Sequence, residues 1–200
     1  MNYSYNNSES LSLNYIQNYD PVKNEQDYIS ILLLHEFGDS SKSWKKITKE
    51  LSEKFNVIQI DFRGHGLNSS FEKVDINTCV SDVLDYLDQT VYNPFYIMGH
   101  GFGGECGILI ANQRPNLIKK LILIETDFSN PEVWKEWGEI QIPSLYIRGR
   151  QSDVISHTLA ITIREKQSKC FVTELEGGGH QFHEDSPHSL ISALNWFDKQ

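Results

Sequence analysis

Cysteine, proline and methionine are scarce in this chain, and it has neither a long apolar run nor a basic one. Its 200 residues include three cysteines, six prolines and two methionines. Cys79, Cys106 and Cys170 are odd in number and form no C-x-x-C pair. A disulfide framework or a structural zinc site is therefore not expected, and a reducing, cytoplasmic setting is. The longest apolar stretches, such as residues 31–34, are far too short to span a membrane. The opening MNYSYNNSESLSLNY has no positive n-region and no apolar core, so it does not read as a signal peptide. The formal net charge is −9 and no five basic residues stand together. Nucleic acid and anionic membrane both require a basic face, so neither is an expected partner.

What is present is the composition of an ordinary globular protein, long enough for one substantial core. The reading is a tail over residues 1–10, rich in Asn and Ser and expected to be disordered, followed by a single domain over 11–200. Strands are expected at 11–17, 28–34, 57–60, 95–98, 121–124, 145–147 and 171–175. Helices are expected at 43–55, 75–90, 103–113, 131–139, 158–167 and 187–198. In the first helix Trp44, Ile47, Leu51 and Phe55 recur at helical spacing, with Ser43 placed as its cap. Strands that alternate with helices imply an α/β protein with a mostly parallel sheet covered on both faces. The chemistry of such sheets sits in loops beyond the carboxyl ends of the strands.

One of those loops reads Gly-His-Gly-Phe-Gly-Gly at residues 99–104. Gly99, Gly101 and Gly104 satisfy G-x-G-x-x-G, and Glu125 follows 21 residues after Gly104 (125 − 104), where a ribose-binding acid would stand. Against a dinucleotide site, at least two strand–helix units precede this one, whereas the fingerprint belongs to the first. The competing reading is a sharp strand-to-helix elbow that presents a nucleophile.

Five loops in order, LLLHEFGDSSKSW, IDFRGHGLNSS, IMGHGFGG, IPSLYIRGRQSD and LEGGGHQFH, decide between the two. Together they resemble the α/β-hydrolase superfamily, in its branch of small esterases, thioesterases and C–C hydrolases, over roughly residues 11–198. The resemblance implies an α/β-hydrolase fold with a minimal or absent cap. It makes position 101 the nucleophile position, His180 the general base and Asp153 the orienting acid. The backbone N–H groups of Phe37 and Phe102 would form the oxyanion hole. His35, Glu36 and His100 would line the pocket, and Trp134 and Trp137 would wall one side of it. Such a site needs a base to take a proton, a carboxylate to hold the imidazole, and paired N–H groups for the developing oxyanion.

The chain departs from this pattern twice. Gly101 stands where serine is expected, so no acyl-enzyme can form there; glycine tolerates the strained dihedrals of an elbow. Glu36 stands where the family carries glycine, and is expected to point to solvent, because a carboxylate in the oxyanion hole would oppose a developing negative charge. Other polar residues receive plainer readings. Asp61, Arg63 and His65 form a structural loop, Cys106 is a small core residue, and His180 with His183, Glu184 and Asp185 is a weak metal signal. No metal and no cofactor are expected.

Three functions follow. The first is a small-molecule acyl ester or thioester hydrolase, impaired unless serine is restored at 101. The second is a His180–Asp153 general-base enzyme of lyase, cyclase or decarboxylase type, with no covalent step. The third is a non-catalytic pseudoenzyme whose partner is another protein. A dinucleotide-binding protein ranks below all three.

Overall fold

A computed structural model describes residues 4–5, 15–18, 29–69, 74–90 and 93–200. The strands are β1 (Ser4–Tyr5), β2 (Tyr15–Asn18), β3 (Ile29–Leu34), β4 (Phe55–Ile60), β5 (Phe95–His100), β6 (Ile118–Ile124), β7 (Ser144–Gly149) and β8 (Cys170–Leu175). They form one sheet in the order β1-β2-β4-β3-β5-β6-β7-β8. Strands β3 to β8 run parallel, and β2 and β1 add antiparallel at one edge. Around the sheet lie α1 (Lys45–Leu51), α2 (Ile76–Thr90), α3 (Phe102–Gln113), α4 (Pro131–Trp137), α5 (His157–Lys166), α6 (Phe182–Asp185) and α7 (Pro187–Phe197).

The period-2 rule sorts the core. Leu32, Leu34, Ile97, Leu121 and Leu123 face one way, onto α2, α3 and α4. Ile31, Leu33, Met98, Ile122 and Ile124 face the other way, onto α1 and α7. Lys120 is buried within β6, and its ammonium donates to the carbonyls of Phe197 and Asp198. It thereby ties the end of α7, where carbonyls lack partners, to the sheet.

Some boundaries move. The apolar spacing that predicts a helix through Phe55 spans two elements. A 3-10 turn at Ser41–Trp44 leads into α1, which ends at Leu51, and Phe55 opens β4. Ser43 does not cap; its hydroxyl donates to the Ser40 carbonyl. The short helix α6 is additional. Of the expected strand at 11–17 the structure describes 15–17, within β2, and of the tail at 1–10 only Ser4–Tyr5, paired with β2; the rest of both lies outside the described residues.

Between β6 and β7 the chain carries only α4, seven residues long. Trp137 is not a pocket wall: it is fully buried, and its indole N–H donates to the Ile163 carbonyl. Under the sheet's carboxyl end, the His183 ring packs 4.6 Å from those of Trp44 and His100. His183 is fully buried, and neither of its ring nitrogens has a hydrogen-bond partner.

Two stability outcomes follow from this packing. Trp137→Ala removes a full core side chain and its hydrogen bond, and should cost about 3–5 kcal/mol, read as a lower urea midpoint at constant m. Burial also lowers the pKa of His183 from 6.5 to about 3. Below pH 6.5 the unfolded chain binds a proton there that the folded chain refuses, so stability falls as pH drops from 6.5 towards 3. The slope is at most about 1.4 kcal/mol per pH unit from this group. His183→Phe should flatten that acid limb in urea unfolding across the same range; an unaltered slope would contradict it.

Candidate functional site

The elbow forms where β5 ends at His100 and α3 begins at Phe102. Gly101 sits between them at φ 48°, ψ −115°, a conformation strained for any residue with a Cβ. Its neighbours are glycine for another reason, which is close approach. A Cβ on Gly103 would lie 2.1 Å from the Leu34 carbonyl oxygen, and one on Gly104 would lie 2.0 Å from Thr126 Oγ1. The glycines let α3 press against the sheet, and the anion at the helix N-terminus belongs to the protein itself.

That anion is Glu36. A Cβ built on Gly101 would lie 1.3 Å from Glu36 Oε2, so the carboxylate fills the corner that an elbow side chain would take. The expectation that Glu36 points to solvent is overturned. Its Oε1 accepts from Phe37 N–H at 2.5 Å, and both of its oxygens lie 3.2 Å from Phe102 N–H. These are the two N–H groups named from the sequence as an oxyanion hole, and they converge on one carboxylate. The sequence argument against a carboxylate there concerned a charge still to develop. With no serine to generate that charge, Glu36 supplies one permanently.

The imidazole of His180 stands beside this corner, with Nε2 3.6 Å from Glu36 Oε2. Its Nδ1 lies 3.4 Å from Glu125 Oε2. The carboxylate beside His180 is thus Glu125, and Asp153 is an exposed residue of the β7–α5 loop. The physical reason is position in the sheet. Glu125 follows β6, the strand next to the elbow strand β5, whereas Asp153 follows β7, one strand further out. Glu125 is fully buried at φ 51° and is held by Gly149 N–H at 2.7 Å and by the Ser152 hydroxyl.

Charge in the site is internally balanced. Burial would raise the Glu36 pKa, but His180, His100 and the two backbone N–H groups more than offset this and hold it below the usual carboxylate range. Glu125 first and Glu36 second raise His180 to about 9, so at neutral pH it is an imidazolium between two carboxylates. Burial lowers His35; its Nδ1–H donates to the Glu36 carbonyl and its Nε2 accepts from Phe62 N–H, which fixes the loop that carries Glu36. His65 does the same one turn away, accepting from Gly38 N–H. Asp61 is structural, accepting from Ser41 and Leu67 N–H. His100 is fully buried and donates through Nε2 to the His180 carbonyl at 2.8 Å.

Glu36, Phe37, Phe102, Glu125 and His180 line a pocket of about 230 Å³. Burial raises the Glu105 carboxyl at its edge, and Glu105 also accepts from Asn130 N–H. A larger groove of about 840 Å³ lies between β8 and α7, is lined by Phe171 and Trp196, and contains none of these groups.

Of the residues singled out from the sequence, the structure brings His180, Gly101 and the N–H groups of Phe37 and Phe102 together around Glu36. Glu125 enters from the sequence only as a ribose ligand. The signal available for it was a lone carboxylate directly after an apolar strand. The signal for Glu36 was the coincidence of two departures, a side chain lost at 101 and one gained at 36.

Residues 29–141 match the family model described as alpha/beta hydrolase fold. Mouse epoxide hydrolase 4 is 33% identical over 110 residues, covering 54% of this chain and 30% of the mouse protein. The chain thus matches less than a third of that relative's length. A human serine hydrolase-like protein is 29% identical over 144 residues, covering 70% of this chain and 67% of the human one. Among solved structures, the thioesterase domain from the curacin biosynthetic pathway has a TM-score of 0.85 at 15% identity, covering 98% of this chain and 99% of that one. A CIB-like hydrolase from Thermoplasma acidophilum has a TM-score of 0.83 at 20% identity, covering 98% of each. No helix among the described residues is long and apolar enough to cross a membrane. With the matching model spanning more than half of its length, the chain belongs to the α/β-hydrolase fold family.

Proposed function

We propose that the chain is a small-molecule hydrolase in which the Glu36 carboxylate acts as the nucleophile in place of the absent elbow side chain. The observation that carries this reading is the 1.3 Å between Glu36 Oε2 and the position of a Cβ at residue 101. Glu125 replaces Asp153 in the reading as the acid that orients His180.

The nucleophile selects the substrate. A carboxylate that attacks an acyl carbon yields an anhydride and expels a far more basic alkoxide, which is uphill. Attack on a saturated carbon in a strained ring yields an ester, and the site can hydrolyse an ester. A three-membered cyclic ether is such a substrate, and relatives bearing the name epoxide hydrolase support the assignment. Glu36 Oε2 bonds to a ring carbon, the C–O bond breaks, and the ring oxygen takes the proton from His180 Nε2. Esterification removes one of the two negative charges that hold that proton, so the His180 pKa falls and the imidazole becomes a base. It takes a proton from water, whose oxygen adds to the Glu36 carboxyl carbon. The resulting oxyanion on Oε1 meets the N–H groups of Phe37 and Phe102. Collapse expels the diol alkoxide, which is protonated by His180. The carboxylic acid left on Glu36 then returns its proton to the imidazole. The sum is addition of water to the ring.

The same charge state speaks against a non-covalent lyase or decarboxylase, because an imidazolium is no base at rest. The ester or thioester lineage survives in a conditional form, since serine at 101 can act only once the Glu36 carboxylate has left the corner.

Two outcomes test the reading. In a single turnover of an epoxide in H₂¹⁸O, heavy oxygen should appear in the peptide containing Glu36 and be absent from the diol. Glu36→Gln should lower kcat on the order of 10³-fold or more. Label entering the diol directly, or an undiminished Glu36→Gln enzyme, would reject Glu36 as the nucleophile. Separately, on short acyl esters Gly101→Ser alone should remain roughly 100-fold slower than Gly101→Ser combined with Glu36→Gly, because only the double variant frees the N–H pair. Equal rates would show that Glu36 does not obstruct the corner.

A further inference from the structure

The corner holds a second kind of chemistry. One ligand atom each from Glu36, His100 and His180 lie within 4.8 Å of one another. We propose that these three side chains form a binding site for a divalent transition-metal ion of the Zn²⁺ class, and that the bound ion blocks hydrolysis. The binding half stands on geometry alone; the blocking half rests on the function proposed above.

His100 carries the argument. Its Nε2–H donates to the His180 carbonyl, which leaves Nδ1 bare, and that nitrogen is buried with no hydrogen-bond partner. A buried polar atom without a partner costs on the order of 1–3 kcal/mol, and an ion that takes Nδ1 as its His100 ligand would satisfy it. The supporting contacts have the pattern of a metal centre. Ligating imidazoles characteristically donate their other N–H to a carboxylate or a backbone carbonyl. Here His180 Nδ1 faces the Glu125 carboxylate, and His100 Nε2 faces a backbone carbonyl. Glu36 Oε1 is held by Phe37 N–H at 2.5 Å, while Oε2 makes only the longer 3.2 Å approach to Phe102 N–H and faces His180, so it is the oxygen an ion would take.

Spacing and ligand type identify the class. Tetrahedral Zn²⁺ with bonds of about 2.0–2.1 Å holds its ligands about 3.3 Å apart. The 3.6 Å between His180 Nε2 and Glu36 Oε2 is within a few tenths of that separation, and the His100 nitrogen, within 4.8 Å of both, would close in on the ion. Two imidazoles and one carboxylate suit zinc and its neighbours, and disfavour Ca²⁺ and Mg²⁺, which take oxygen ligands. The three ligands come from the loop after β3, the last residue of β5 and the loop after β8. Glu36 and His180 also line the adjoining pocket, through which an ion could enter. The sequence directs attention to His180 and His183 as an H-x-x-H pair, but His183 turns into the core against Trp44, and His100 stands in its place. An ion held on Oε2 and Nε2 releases the Nε2 proton to solvent and occupies the proposed nucleophile and the proposed base together.

The test is titration of ZnCl₂ into EDTA-stripped protein by calorimetry, with CoCl₂ as a spectroscopic probe of coordination. One ion per chain is expected. Glu36→Gln and His100→Phe should each weaken binding roughly 100-fold or more, and Glu125→Gln about 10–100-fold. Since Glu36 is partly exposed, its variant keeps the test decisive even if His100→Phe unfolds. A His157→Gln/His188→Gln control, altering two exposed histidines, should bind like the parent. No saturable uptake, uptake unchanged in Glu36→Gln, or uptake lost in the control would overturn the site. With an epoxide turned over, the zinc inhibition constant should equal the dissociation constant; zinc that binds without slowing turnover overturns the blockade alone. If no epoxide is turned over, the reaction reading falls and the binding measurements still decide the site.

Discussion

Two backbone N–H groups, those of Phe37 and Phe102, converge on a single carboxylate oxygen, and the organisation of the site follows from that convergence. They belong to the loop after β3 and to the first residue of α3, which follows β5, and β3 and β5 are neighbouring strands of the sheet. The N-terminus of α3 adds its partial positive charge at the same point. Such a locus attracts an anion whatever the chain's chemistry. Where an elbow side chain is present, the locus waits for a transition state. Here the elbow is bare, and the locus is filled by the acid one residue before Phe37.

The rest of the site is the electrostatic consequence. A fixed negative charge in the corner, with a second one on Glu125 across the ring, makes the imidazole between them cationic. The arrangement has the charge distribution of a hydrolytic intermediate while no substrate is present. Burial sharpens it, since Glu125 is sealed from water and its oxygens are committed to Gly149, Ser152 and His180. The left-handed backbone at Glu125 is strain held in place by these bonds.

Much of this was legible in the residues. Buried parallel strands announce themselves as short apolar runs, and the loops after them carry the polar groups; that suffices to bring the elbow, the N–H pair and His180 to one end of the sheet. The carboxylate that meets His180 was not legible, because both Glu125 and Asp153 follow parallel strands. The choice depends on which strand lies next to β5, and an order of strands in space is not written in an order along the chain. Nor was the direction of Glu36. A carboxylate on a loop goes to water unless something recruits it, and the recruiter is a space, the missing Cβ of Gly101, visible only when two positions 65 residues apart (101 − 36) are brought together. The helix expected through Phe55 fails for a simpler reason. Apolar spacing of three and four continues through residues 52–54 by coincidence, while the chain turns there to start β4.

The tether of Glu36 has one more effect. A free acid in solution meets the N–H pair only at its bulk concentration, whereas the Glu36 carboxylate is delivered by its own backbone at a very high effective molarity. Acetate, longer carboxylates and other released acids would have to evict a resident that never diffuses away. A pocket built on this plan is shielded from competition by the anions of its surroundings, and a visiting molecule gains entry by reacting with the resident carboxylate rather than by replacing it.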